Sequence, residues 1–314
     1  MNSVCSLNSQ WRCISYLQAI LYCFWLLLFV LISTPLLASR QYCDISLDQK
    51  IMGLSHGTTK KSNLNTGLGS AVGITTSELN FDWIMSNEPE HSQSIGLNTL
   101  YTIINFDRIN PMTNGHLHTW GLPIAGSYTT NETEVFYDVT PGISVSSNAL
   151  KNPELINSES LQLTTSLIVQ KKHNENLTWI YGFMSDYRFG DYQLYPLAGV
   201  CLEPAQGWLL QLAVPDFSIQ KKFSSLFNLT FYISPEGNKW HVFSKDLQSN
   251  SELTYNSIIT GITAHWSVTP SIELNLDLVK QSKKVFNLVS DDNQLISADA
   301  DSSMELKLSG RFLF

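Results

Sequence analysis

The side chains of this 314-residue chain best suited to chemistry are histidines. His116 and His118 form His-Leu-His in a stretch flanked by glycine and proline. On a strand both rings would point the same way, as two ligands of one metal must. Zinc takes three or four protein ligands, and no third follows nearby, so no metal ligand is assigned. The plainer reading is a pair of polar loop residues. His241 and His265 lie in strand-like segments. A hydrolase would need a histidine to meet a serine and an orienting Asn or Asp in space. Serines are plentiful, but no Gly-x-Ser-x-Gly elbow is present, and a lone strand histidine is more often structural. The expectation is therefore a non-enzyme with no catalytic, cofactor-binding or metal residues. A membrane-embedded hydrolase is the enzyme alternative.

Cysteine adds little. Cys5, Cys13 and Cys23 fall in an N-terminal segment expected to be removed, leaving Cys43 and Cys201. There is no CxxC pair and no dense disulfide framework. Whether the remaining two come within bridging distance is not legible from their spacing. Three Asn-x-Thr triplets, at Asn131, Asn176 and Asn228, are glycosylation acceptors only in a host that uses them.

Stepping outward, the elements that carry these residues are strands. Apolar residues make up 43% of the chain and charged residues 15%, the latter below the roughly 25% of soluble proteins. That composition suits a chain with part of its surface in lipid. A net charge of -8 argues against nucleic-acid binding. Leu17 to Ile32 is an uncharged apolar run ended by Pro35 and followed by Leu36-Leu37-Ala38-Ser39. This is the order of a secretory signal, expected over residues 1–39, with an uncleaved membrane anchor as the alternative. Residues 40–66 are polar and read as an extension.

From Gly67 onward short segments alternate with period two. Met304, Leu306, Leu308, Phe312 and Phe314 oppose Ser303, Glu305, Lys307, Ser309 and Arg311. Ile272, Leu274, Leu276 and Leu278 oppose Glu273, Asn275 and Asp277. Leu177, Trp179, Tyr181, Phe183, Tyr187 and Phe189 form an aromatic face opposite Thr178, Asp186 and Arg188. Turns are expected at Lys172-His173-Asn174-Glu175, Pro235-Glu236-Gly237-Asn238 and Thr269-Pro270. Alternation alone does not distinguish a lipid-facing barrel from a soluble one. The export segment tips the balance, as does the final strand. Lys307, Phe312 and Phe314 fit the terminal signal by which bacterial outer-membrane proteins are recognised for assembly, with Ser309 in the expected glycine slot.

The most distinctive wording lies between Tyr181 and Pro215. It reads Tyr181-Gly182, Arg188-Phe189-Gly190, Tyr195-Pro196-Leu197-Ala198-Gly199-Val200, Pro204, Trp208, Leu210, Leu212 and Pro215. This resembles a family of uncharacterised bacterial outer-membrane barrels known only as a domain of unknown function. The resemblance implies a barrel over residues 67–314 and implies no activity. In such a barrel Gly182, Gly190 and Gly199 allow bends or close approach. Tyr181, Tyr195 and Trp208 suit interfacial aromatic girdles, and Pro196 and Pro215 mark strand ends or bulges. The charges Glu273, Asp277, Glu305, Lys307 and Arg311 face the lumen, where they tune a narrow pore or pair and plug it.

The expectation is an all-β, antiparallel transmembrane barrel of about 12 strands, within a range of about 10–14 and even in number. It sits in the outer membrane of a Gram-negative cell, as a narrow channel or a structural surface protein. Its partners are outer-membrane lipid and, through the strand ending at Phe314, the barrel-assembly machinery. The other rival reading is a periplasmic binding barrel tethered by an N-terminal helix.

Overall fold

The computed structural model describes residues 42–43, 51–65, 71–88, 90–106, 115–244, 249–290 and 295–314. The expected signal segment over residues 1–39 lies outside them. In chain order the strands are β1 (Ile51–Thr59), β2 (Ser62–Asn63), β3 (Ala71–Glu88), β4 (His91–Phe106), β5 (His116–Gly121), β6 (Ile124–Thr129) and β7 (Thr133–Ser146). After a one-turn helix α1 (Ser147–Leu150) come β8 (Leu161–Asn174), β9 (Leu177–Asp186), β10 (Gln193–Leu202), β11 (Trp208–Val214) and β12 (Phe217–Lys222). The last five are β13 (Phe227–Ser244), β14 (Ser249–Thr269), β15 (Ile272–Ser290), β16 (Leu295–Ala300) and β17 (Ser303–Leu313).

Neighbours in sequence pair antiparallel, and β17 pairs with β1 to close the ring, from Ile51↔Leu313 to Thr59↔Glu305. Closure removes the free edge strands that an open sheet would carry. Three wall strands are broken in two: β1 runs on into β2, β5 and β6 both pair with β4, and β16 and β17 both pair with β15. The seventeen segments thus make a fourteen-stranded barrel, at the upper edge of the expected range. The wall also starts earlier than expected, because β1 lies within the stretch read as a polar extension. Its sequence, Ile-Met-Gly-Leu-Ser-His-Gly-Thr-Thr, alternates too weakly to advertise a strand.

Side chains alternate across this wall as the period-two pattern requires. On β15 and β17 the outward residues Leu276, Leu278, Met304 and Leu306 are exposed, while Asn275, Asp277, Glu305 and Lys307 are buried inside. The same outward apolar set recurs as Phe231 and Ile233 on β13, Ile262 and Trp266 on β14, and Trp179, Tyr181 and Phe183 on β9. Two glycines permit close approach in this wall. A Cβ on Gly182 would lie 1.9 Å from the Leu167 carbonyl oxygen, and one on Gly199 would lie 2.4 Å from that of Leu212.

The barrel has two heights. β13, β14 and β15 have 18, 21 and 19 residues, against 7 and 6 for β11 and β12. At one end the connections are short, such as 175–176 and 270–271; this is the turn end. At the loop end the tall strands rise above the low arc β8–β12. There β7 leaves β8 at Ile143↔Leu161 and meets β13 in parallel at His241↔Val145. The wall therefore skips the low arc and narrows.

Two sequence expectations are corrected. Pro235-Glu236-Gly237-Asn238 is not a turn but mid-strand in β13, paired continuously with β14. β12 stops pairing at Phe217↔Ile233, so no neighbour on that side needs an N–H from Pro235. At Gly237 a Cβ would lie 2.6 Å from the Arg188 carbonyl oxygen, so a loop packs where a side chain would stand. Pro196 likewise lies inside β10, opposite Phe183, rather than at a strand end; Pro215 does fall in the β11–β12 turn.

Candidate functional site

The lumen is the concave surface of this fold, and it divides into three regions. At the loop end it is filled with apolar side chains. Val72, Ile74, Ile104, Leu117, Trp240, Val242, Leu253, Tyr255, Phe286 and Leu288 form one buried cluster drawn from β3, β4, β5, β13, β14 and β15. Phe286 stacks on Tyr255 at 5.0 Å and meets Phe106 edge-on at 5.6 Å. A bulge makes this core. Between Asn256↔Val285 and Ile258↔Ser282 β15 carries an extra residue, and Lys283 there has φ 52°. The one-residue slip flips the strand. Even-numbered residues face outward at Leu276 and Leu278, and inward at Phe286 and Leu288.

The second region lies inside the low arc. Tyr42 is buried there, and its neighbour Cys43 is joined to Cys201 of β10 by a disulfide with Cα atoms 5.8 Å apart. Both backbone polar groups of Tyr42 meet interior side chains. Its N–H donates to Gln211 Oε1 at 2.6 Å, and its carbonyl accepts from Gln170 Nε2. Its phenol donates to Asp216, which also accepts from Ser234 and from Arg188 at 2.9 Å. Arg188 lies in the β9–β10 loop and pairs in addition with Asp186 at 2.8 Å. Burial works against its charge, but Asp216 and Asp186 outweigh burial and hold the guanidinium firmly protonated. Asp216 is 0% exposed. Tyr42 and Cys43 are thus fixed against the inner wall of the low arc by one covalent bond and a ring of buried polar groups.

The third region, towards the turn end, is polar. The expected lumen charges are there, and most are paired. Arg311 Nη1 lies 3.3 Å from Glu273, Lys307 lies 3.8 Å from Glu78, and Asp277 accepts from Thr263. Gln281 donates to Glu305 at 2.9 Å and to Glu236 at 3.3 Å.

The histidines separate. His116 and His118 do share a face, but it is the outer one, where they lie against Tyr101; His118 also stacks on Trp120 at 5.3 Å and bonds Ser147 at 2.8 Å. No group of three or more metal-ligand side chains occurs among the described residues. His241 is buried against Leu155, whose carbonyl it meets at 3.0 Å. His265 faces the lumen. Its Nδ1 lies 2.6 Å from Asn275 Oδ1 and its Nε2 lies 3.3 Å from Ser267 Oγ. Ser267 and Asn275 were not singled out from the sequence. Half of the signal was available: residues 265 and 267 share a strand face, but 275 stands opposite 265 only through a bulge between Ser267 and Thr269, which the sequence does not mark. Asp216 and Tyr42 had no such signal, because they meet across 174 residues. Tyr181 and Trp208 face outward as girdle residues should, but Tyr195 points inward and donates to Asp186 at 2.6 Å.

Residues 139–279 match a family model described as a domain of unknown function, DUF6268. No curated protein matches the sequence. Among solved structures, the COG4313 outer membrane channel from Pseudomonas putida F1 superposes with a TM-score of 0.51 at 6% identity, covering 88% of this chain and 100% of that one. The Pseudomonas putida toluene transporter TodX is more distant, with a TM-score of 0.36 at 10% identity over 85% of this chain and 90% of that one. At such identities the first likeness speaks for fold alone. The chain is a closed, fourteen-stranded barrel with the fold of an outer membrane channel, and its residues 139–279 match the domain of unknown function DUF6268.

Proposed function

We propose that this chain is an outer-membrane barrel of the narrow-channel class, closed in the state described here. The observation that carries the reading is the band of outward apolar side chains, set against an inner face of paired charges. A water-facing barrel would reverse that arrangement. A transmembrane barrel has an outward apolar band about 25 Å tall and short turns on the periplasmic side. On this reading the turn end faces the periplasm and the tall strands stand outside the cell. Lipid surrounds the band, and the assembly machinery takes the closing strand β17 with Phe314. The apolar cluster and Tyr42 occupy the lumen among the described residues, and on this reading a solute crosses only if one of them moves.

Membrane fractionation with heat-modifiable gel mobility tests the placement. The folded protein is expected in the outer-membrane fraction, migrating differently before and after boiling. Recovery in the soluble periplasm, or in the inner membrane as a tethered form, would overturn it. Reconstituted into planar bilayers, the protein is expected to lack large, steady porin-type conductance, and such conductance would refute the closed state.

A further inference from the structure

We propose that Ser267, His265 and Asn275 form an acyl-transfer site inside the turn end of the lumen, acting on a small carboxylic ester. The order of contacts is the first ground. Asn275 Oδ1 can only accept, so at 2.6 Å it fixes the proton of His265 on Nδ1. Nε2 is then bare and faces Ser267 Oγ at 3.3 Å. A serine, a base and a group that orients the base stand in the sequence that nucleophilic catalysis requires. The 3.3 Å contact is long, as such contacts often are without substrate.

Sheet register is the second ground. His265 and Asn275 are direct cross-strand partners, and Ser267 lies opposite Glu273, which lies opposite Arg311. Three neighbouring strands of a closed barrel thus hold the groups, a stiffer mounting than loops provide. Glu273 Oε1 lies 3.7 Å from the same Nε2 of His265. The third ground is an unpaired donor. Among the described residues Arg311 Nε is buried without a hydrogen-bond partner, although Nη1 of the same side chain reaches Glu273. It lies two strands from Ser267 on the same inner row, roughly 10 Å of backbone spacing, which a long side chain spans in part.

The reaction balances with water alone. Ser267 Oγ attacks the ester carbonyl carbon as its proton passes to His265 Nε2. The tetrahedral intermediate collapses, the ester C–O bond breaks, and the alcohol leaves with the proton from His265. Water, deprotonated by the same nitrogen, attacks the acyl-serine, releasing the carboxylic acid and restoring Ser267.

The test uses the full chain, folded in detergent, with each variant shown to be folded by heat-modifiable mobility. A fluorophosphonate probe should label the protein on Ser267, as located by peptide mass spectrometry, and p-nitrophenyl acetate should be hydrolysed. Ser267→Ala should abolish both, and Ser267→Cys should exchange fluorophosphonate for iodoacetamide labelling. Loss of a general base costs about 10²–10⁴ in rate, the fall expected for His265→Gln. Asn275→Ala should slow labelling, and Asn275→Asp, which keeps an acceptor on Nδ1, should restore most of it. A folded wild-type barrel that takes no probe, or Ser267→Ala labelled like wild type, would overturn the proposal.

Discussion

Leu276→Arg separates a lipid-facing wall from a water-facing one. Leu276 is 48% exposed, points outward, and lies in the middle of an apolar row between Ala264 on β14 and Leu308 on β17. If that row meets lipid, the guanidinium enters hydrocarbon. Arginine at the midplane of a transmembrane barrel costs about 2–4 kcal/mol, which lowers the folding equilibrium constant by roughly 30- to 800-fold. If the row met water instead, Leu276 would be a surface residue, and a surface substitution changes stability by about 0.5 kcal/mol or less. The two cases differ by well over the error of a denaturant titration. The assay is equilibrium unfolding in phospholipid vesicles, comparing wild type, Leu276→Arg and Thr254→Arg. Thr254 also points outward, but on the tall part of β14 between Glu252 and Asn256, beyond the apolar band. Its substitution should stay within about 0.5 kcal/mol. Equal, small effects at both positions would refute the lipid-facing assignment, and with it the proposed location.

Other outcomes follow from the lumen and the seam. Phe286→Ala should cost about 3–5 kcal/mol in the same titration, as for a packed core; a loss under about 1 kcal/mol would mean that the loop end is a wet vestibule rather than an apolar core. Cys43→Ser should lower stability towards the value of the reduced wild type. The bridge closes a separation of 158 residues, for which chain entropy gives about 5 kcal/mol at most; a midpoint indifferent to reductant would show that Cys43 is not bonded. Deleting Phe314 should lower the amount of folded barrel in the outer membrane and raise its degradation, whereas Thr254→Ala, outward and beyond the band, should not. Normal accumulation of both variants on immunoblots would count against recognition through β17.

How much of this was legible from residues alone depends on whether a feature was local. The outward sets on β15 and β17 were, because period two is a property of neighbours along one strand. The cross-strand pair His265–Asn275 was only half so, since its register depends on the bulge between Ser267 and Thr269 as well as on the turn. The number of strands was only bounded, because β1 alternates weakly and three wall strands are broken. Pro235 misled for a reason outside its own strand: the ladder partner it would have lacked is absent, since β12 ends there. The buried knot of Tyr42, Arg188 and Asp216 joins three distant segments, and no pattern within any of them announces it. The inversion on β15 is the sharpest case. Ile272 to Leu278 and Phe286 to Leu288 share one parity and look like a single apolar face, yet the bulge at Lys283 sends the first set outward and the second inward. That one residue divides a strand with an outward apolar face from a strand that fills a core, so the apolar cluster at the loop end rests on a backbone event the hydrophobic pattern does not record. Deleting Lys283 would remove the extra residue and leave β15 alternating regularly, with Leu276 and Leu278 still outward and Phe286 and Leu288 still inward. The apolar core should therefore survive that deletion, whereas a β15 that kept Lys283 but lost the bulge should turn Phe286 and Leu288 outward and empty the core while the band below keeps its register.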